Sequence, residues 1–96
     1  MTRLNAQVAI VTGGGSGIGQ GVAEALAREG AKVVVCGRRA EPLKRTVTAI
    51  EEVGGDGLAV QADVSQVEDV ARLVRQTIEA YGRVDILINN AGIGGS

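Results

Sequence analysis

Four short stretches of this chain carry residue types that suit a phosphorylated ligand. The first is Thr12-Gly13-Gly14-Gly15-Ser16-Gly17-Ile18-Gly19, which follows the apolar, β-branched run Val8-Ala9-Ile10-Val11. Ile18, Val22 and Leu26 then recur at i, i+4 and i+8, which predicts one face of a helix. A strand that feeds a helix through a glycine turn aims the first helical N–H groups, and the positive end of the helix dipole, at the loop. That geometry receives an anion. The second stretch, Gly37-Arg38-Arg39, offers two guanidiniums able to grip a phosphate bidentately. The third, Asp63-Val64, offers a hydrogen-bond acceptor beside an apolar surface. The fourth, Asn89-Asn90-Ala91-Gly92, joins amides that can tie strand ends together to small residues that let a backbone approach a ligand.

Spacing narrows the chemistry. No register of the glycine loop fits G-x-G-x-x-G, and the P-loop fails because Gln20 follows Gly19 where a lysine is required. The loop instead reads T-G-x-x-x-G-x-G through Thr12, Gly13, Gly17 and Gly19.

The elements that must position these stretches follow from the hydrophobic pattern. Strands are predicted at Val8-Val11, Lys32-Cys36, Gly57-Ala62 and Val84-Ile88. The first helix is predicted from about Ile18 to Glu29, where Gly30 supplies a left-handed stop. Pro42 suits the first turn of a second helix, with Leu43, Val47 and Ile50 inward and Gly54-Gly55 ending it. Ser65-Gln66-Val67-Glu68 reads as a capping box for a third helix. Val70, Val74 and Ile78 line one face of it, joined by Ala71 and Leu73, with Gly82 as its end.

Alternating strand and helix predicts an α/β, doubly wound parallel sheet with right-handed crossovers and strand order 3-2-1-4. In such a sheet a ligand binds at the carboxyl ends of the strands, near the switch point between strands 1 and 4. All four stretches fall just after a predicted strand end. No internal repeat, linker or low-complexity segment interrupts the 96 residues, which make one domain or less.

Bulk properties exclude other classes. The formal net charge is -1 with no long block of either sign, so nothing points to nucleic acid or an anionic membrane surface. Met1-Thr2-Arg3-Leu4 is too polar for a signal peptide, and no apolar run reaches membrane-spanning length. With one cysteine, Cys36, there is no internal disulfide, and a reducing compartment, the cytoplasm, is expected. With no histidine and a single cysteine, no structural zinc is expected, and no acidic cluster invites magnesium, so no metal-ligating residue is assigned.

The glycine loop, together with Gly82-Arg83-Val84-Asp85-Ile86-Leu87-Ile88-Asn89-Asn90-Ala91-Gly92, resembles the short-chain dehydrogenase/reductase family. The resemblance covers the whole chain but only the first part of a typical member. It implies a Rossmann-type, nicotinamide-cofactor-binding part. Cofactor contacts are implied at Thr12, Gly13, Gly15, Ser16, Gly17, Ile18, Gly19, Arg38, Arg39, Asp63, Val64, Asn90, Ala91 and Gly92. It places Asp63 on the adenine amino group, Val64 beside the ring, and Arg38 on the 2′-phosphate of NADP.

The residues themselves support that last assignment. An NAD site wants a carboxylate about 20 residues after the glycine loop to meet the ribose hydroxyls. Gly37-Arg38-Arg39 stands there instead, so NADP(H) is favoured over NAD(H). Ser16 occupies the loop position where some NADP-dependent members carry a basic residue, which makes the preference moderate. A methyltransferase of similar topology fits less well, because it too wants an acid at the second strand tip.

The family's hydride transfer uses a Ser and a Tyr-x-x-x-Lys pair downstream of Asn-Asn-Ala-Gly. Here Tyr81 is followed four residues later by Asp85, so these residues include no catalytic set. Tyr81 and Cys36 read as packing residues, and Asp85 as a structural carboxylate in need of a nearby partner. Two readings follow. One is the cofactor part of an oxidoreductase that interconverts carbonyl and alcohol, its small substrate met only in a longer form. The alternative is a truncated or stand-alone nucleotide-binding or interaction module without turnover. In either, an incomplete sheet would leave Ile86-Leu87-Ile88 at an exposed apolar edge prone to self-association.

Overall fold

A computed structural model describes residues 6–90, so Ala91 and Gly92 lie outside the described residues. Strands β1 (Val8–Thr12), β2 (Lys32–Gly37), β3 (Asp56–Gln61) and β4 (Ile86–Asn89) alternate with helices α1 (Gly17–Arg28), α2 (Ala40–Glu52) and α3 (Val67–Tyr81). All pairings are parallel, and the sheet order is β3-β2-β1-β4, as the alternation predicts. β1 and the middle of β2 are buried on both faces, which is why Val8-Ala9-Ile10-Val11 and Val33-Val34-Val35-Cys36 are continuous apolar runs.

The core divides by strand register. Val11, Val33 and Val35 face α1 and α2, meeting Ala23, Ala27, Leu43 and Ile50. Ile10, Val34, Cys36 and Val60 face α3 and meet Leu73. Burial pushes the Cys36 thiol up to about 11, so it stays protonated and acts as a small apolar side chain. Gly30, Gly54 and Gly82 have φ of 96°, 83° and 81°, the left-handed helix ends expected of them.

The helices depart in three respects from the simplest use of the apolar pattern. The inner face of α1 is Gly19, Ala23 and Ala27, with Val22 and Leu26 half-buried at its flank, while Ile18 is 60% exposed. Small residues take the inner positions because this helix lies close against the glycine loop. On α3 the buried residues are Leu73 and Thr77, whereas Val70, Val74 and Ile78 are exposed. That helix carries two apolar stripes, and the one with fewer large side chains meets the sheet.

The capping box does not form either. Gln66, not Ser65, is the N-cap and makes no side-chain cap bond, and the Ser65 hydroxyl donates to Asp63 Oδ1 at 2.7 Å.

Two polar links close the sheet at its amino-terminal end. Asp85, just before β4, accepts from the Val8 N–H at 2.9 Å and from Arg83 Nη2 at 2.7 Å, and both hold its carboxyl below the usual range. This is the partner that the sequence demands of Asp85. Tyr81 Oη donates to Asp56 Oδ1 at 2.9 Å, and Lys32 Nζ stands 5.7 Å from the ring centre. Burial and the Asp56 carboxylate raise the Tyr81 pKa, so the phenol stays neutral as a packing and hydrogen-bonding group. No described helix is long and apolar enough to cross a membrane, and the described residues contain no cluster able to hold a metal ion.

A candidate dinucleotide site at the carboxyl edge of the sheet

The glycine loop is shaped by contacts that only glycine permits. Gly13 adopts φ 68°, and an added Cβ on Gly14 would lie 2.6 Å from Val35 Cβ. A Cβ on Gly15 would lie 2.7 Å from Pro42 Cβ, and one on Gly19 would run into the Gly13 carbonyl. Gly17 differs. A Cβ there would meet no protein atom within 4 Å, so protein packing does not explain the glycine. The open space lies at the head of α1, where first-turn N–H groups lack intrahelical acceptors.

A buried polar network holds this loop from below. Ser16 is the N-cap of α1, and its Oγ accepts from the Gly19 N–H at 3.0 Å while donating to Gly13 O at 3.0 Å. Asn90 Nδ2 donates to Ser16 Oγ at 3.1 Å and to Gly13 O at 3.2 Å. The Asn90 N–H donates to Thr12 Oγ1 at 3.0 Å, and Thr12 Oγ1 in turn reaches Asn89 Oδ1 at 3.0 Å. The amides of Asn89 and Asn90 therefore tie the ends of β1 and β4 together, as their position predicts. Asn90 is 2% exposed, and Thr12 is also buried, so both shape the loop from underneath.

Thr46 was not legible as part of this site. It lies fully buried on α2, and its hydroxyl donates to Gly14 O at 2.7 Å. A threonine at helical spacing between Leu43 and Ile50 gives no sign that it faces a loop 32 residues away. Thr46→Val keeps the shape but leaves that buried carbonyl unpaired. It is expected to cost about 1–3 kcal/mol, read as a lowered urea midpoint at unchanged denaturant slope.

The strand tips enclose a cleft of about 600 Å³. Of the residues expected at a cofactor site, Gly13, Gly15, Ser16, Arg38, Arg39, Asp63 and Val64 line it. Pro42 and Leu43 add an apolar wall from α2. Gly17 and Ile18 stand beside Ser16 at the exposed head of α1, while Thr12, Gly19 and Asn90 lie beneath. Arg38 and Arg39 are exposed and form no ion pair among the described residues. Asp63 accepts from the Ser65 hydroxyl and N–H, which hold its carboxyl below the usual range, with Arg38 adding a smaller pull. The cleft thus offers helix N–H groups at one end, guanidiniums at its rim, and an ionised acceptor beside Val64. That is a set of contacts for phosphates and for a heteroaromatic ring.

Comparison with known proteins agrees with this geometry. A sequence profile described as short chain dehydrogenase matches residues 7–96. The chain is 46% identical over 94 residues to a 3-oxoacyl-(acyl-carrier-protein) reductase of Synechocystis sp., covering 97% of this chain and 38% of that protein. Actinorhodin polyketide ketoreductase with NADPH superposes with a TM-score of 0.86 at 40% identity, over 94% of this chain and 34% of that one. NAD+-bound xylitol dehydrogenase gives a TM-score of 0.86 at 29% identity, over 90% and 33%. The chain therefore spans little more than a third of the length of these relatives. The wider glycine spacing, the parallel 3-2-1-4 sheet and the sequence match agree: the chain belongs to the short-chain dehydrogenase family.

Proposed function

We propose that this chain is the NADP(H)-binding part of an oxidoreductase and that its cleft favours NADP(H) over NAD(H). The observation that carries the preference is the tip of β2. Arg38 and Arg39 line the cleft there, and no carboxylate stands among Gly37-Arg38-Arg39 at the strand tip. A carboxylate would accept from ribose hydroxyls and repel a 2′-phosphate, whereas a guanidinium attracts the phosphate. Similar proteins are found with either cofactor, so the preference rests on these two arginines.

The loop fits the cofactor's pyrophosphate through the space that Gly17 leaves open and the N–H groups at the head of α1. In this reading Gly13, Gly15, Ser16, Gly17, Ile18 and Gly19 surround the pyrophosphate. Asp63 and Val64 take the adenine. Thr12 and Asn90 hold the loop in place, and Ala91 and Gly92 are assigned to the ribose. When bound, the cofactor supplies hydride chemistry between a carbonyl and an alcohol. These residues bind and orient it but offer no acid–base pair, so the small substrate and its proton transfer belong to a longer form of the protein. Named relatives are reductases and dehydrogenases, which favours this reading over a stand-alone module. The reading also places the protein in the cytoplasm and, for these 96 residues by themselves, self-association at the outer edge of β4, where Leu87 is 64% exposed.

Titration calorimetry with NADPH and NADH, on wild type and Arg38→Ala, tests the preference. A hydrogen-bonded charge pair contributes about 1.5–3 kcal/mol, so the variant is expected to lose roughly 10- to 150-fold for NADPH. NADH affinity should be unchanged. Equal losses for both cofactors would contradict the assignment.

A further inference from the structure

The tips of β2 and β3 are joined by more than the sheet ladder. The Ala62 N–H donates to Gly37 O at 2.8 Å, and Nε2 of the preceding residue, Gln61, donates to Arg38 O at 2.9 Å. Gln61 is itself anchored, because its carbonyl accepts from Arg72 Nη2 at 2.9 Å. Arg72 pairs with Asp69 at 3.5 Å, and Asp69 Oδ2 accepts from the Asp63 N–H at 2.8 Å. The first turns of α3 therefore tether the tip of β3, and Gln61 and Ala62 link that tip to the end of β2.

Arg38 and Arg39 form the short bridge from the end of β2 to the start of α2. Arg39 is the N-cap of α2 and makes no side-chain cap bond. Among the described residues, the Gln61 amide is the one side chain that hydrogen-bonds this bridge. It fixes the peptide plane after Arg38, and that plane sets the direction in which both arginine side chains leave the backbone. A guanidinium must meet a phosphate in a planar, two-point geometry. Aiming it in advance removes part of the ordering cost of binding.

We propose that Gln61 is a positioning residue for Arg38, and through it a determinant of selectivity for a nucleotide that carries a 2′-phosphate. The inference rests on the NADP(H) reading above. Gln61 does not line the main cleft, and its effect passes through the Arg38 carbonyl. A ligand without the 2′-phosphate has no use for an aimed guanidinium, so its affinity is insensitive to Gln61.

The test is calorimetric titration of NADPH and NADH into the wild-type protein, Gln61→Met and Arg38→Ala, with a thermal midpoint for each. Methionine keeps the length of the side chain and removes its N–H donors. Without that bond the bridge must be re-ordered when the phosphate binds, at a cost bounded by about one neutral hydrogen bond, so Gln61→Met is expected to weaken NADPH by about three- to tenfold and NADH by less than about twofold. The thermal midpoint should stay near that of wild type, since the bond is exposed. If Arg38→Ala discriminates between the cofactors while Gln61→Met weakens both equally or neither, the positioning role is overturned and the NADP(H) reading stands. If Arg38→Ala fails to discriminate, that reading falls, and the role of Gln61 falls with it.

Discussion

Alanine at Gly19 is expected to destabilise the fold by roughly 3 kcal/mol and to remove nucleotide binding with it. The added methyl would be driven into the Gly13 carbonyl, 2.9 Å from the Gly13 carbonyl carbon and 2.9 Å from Gly14 Cα. All of these are backbone atoms, so no side-chain rotation relieves the clash. Either α1 withdraws from β1 or the loop is pushed outward. Withdrawal opens the contacts of Ala23 and Ala27 with Val11 and Val33, and displacement of the loop breaks the bonds from Ser16 and Asn90 to Gly13 O. A urea titration of wild type and Gly19→Ala checks this. An unfolding free energy within about 0.5 kcal/mol of wild type would show that the helix is less tightly seated than its geometry indicates.

Valine at Gly17 should do the opposite: keep the fold and abolish binding. A Cβ there meets nothing of the protein, Gly17 has no left-handed φ, and valine is no worse than glycine in a helix. Stability is expected to stay within about 0.5 kcal/mol of wild type. The three added carbons fill the space at the head of α1 that a pyrophosphate must enter to reach the helix N–H groups. Steric exclusion there is expected to weaken NADPH by about a hundredfold or more, the equivalent of roughly 2.7 kcal/mol. Gly19 and Gly17 stand two residues apart and separate the two uses of glycine, one serving packing and the other a ligand.

The architecture was legible in the sequence because its signals are local. Runs such as Val33-Val34-Val35, helix-ending glycines and the alternation of strand and helix lead directly to the parallel 3-2-1-4 order. The convergence of the loops after β1, β2 and β3 on one cleft was legible for the same reason, since topology alone places those loops on one edge.

Orientation within an element was less legible. Val70, Val74 and Ile78 form as good a helical stripe as the face built on Leu73 and Thr77, and periodicity cannot say which one meets the sheet. Likewise, the Ser65 hydroxyl had two local partners in prospect, helix N–H groups from which to accept and the Asp63 carboxylate to which it donates, and the bond to Asp63 is the one formed.

What sequence reasoning missed altogether is the set of side chains that bond to distant backbone carbonyls. Thr46 reaches Gly14, and Gln61 reaches Arg38. A single donor facing a carbonyl far along the chain leaves no periodic mark. Asn90 was legible because its place after β4, next to Asn89, already implied that it joins strand ends.

The most direct measurement is a calorimetric titration of NADPH into wild type and Gly17→Val, with the thermal unfolding of each recorded in parallel. The account predicts saturable binding to wild type, loss of that binding in the variant, and unfolding midpoints that agree. A variant that binds NADPH as tightly as wild type, or a folded wild-type protein that binds none, would contradict the assignment of this cleft to the cofactor.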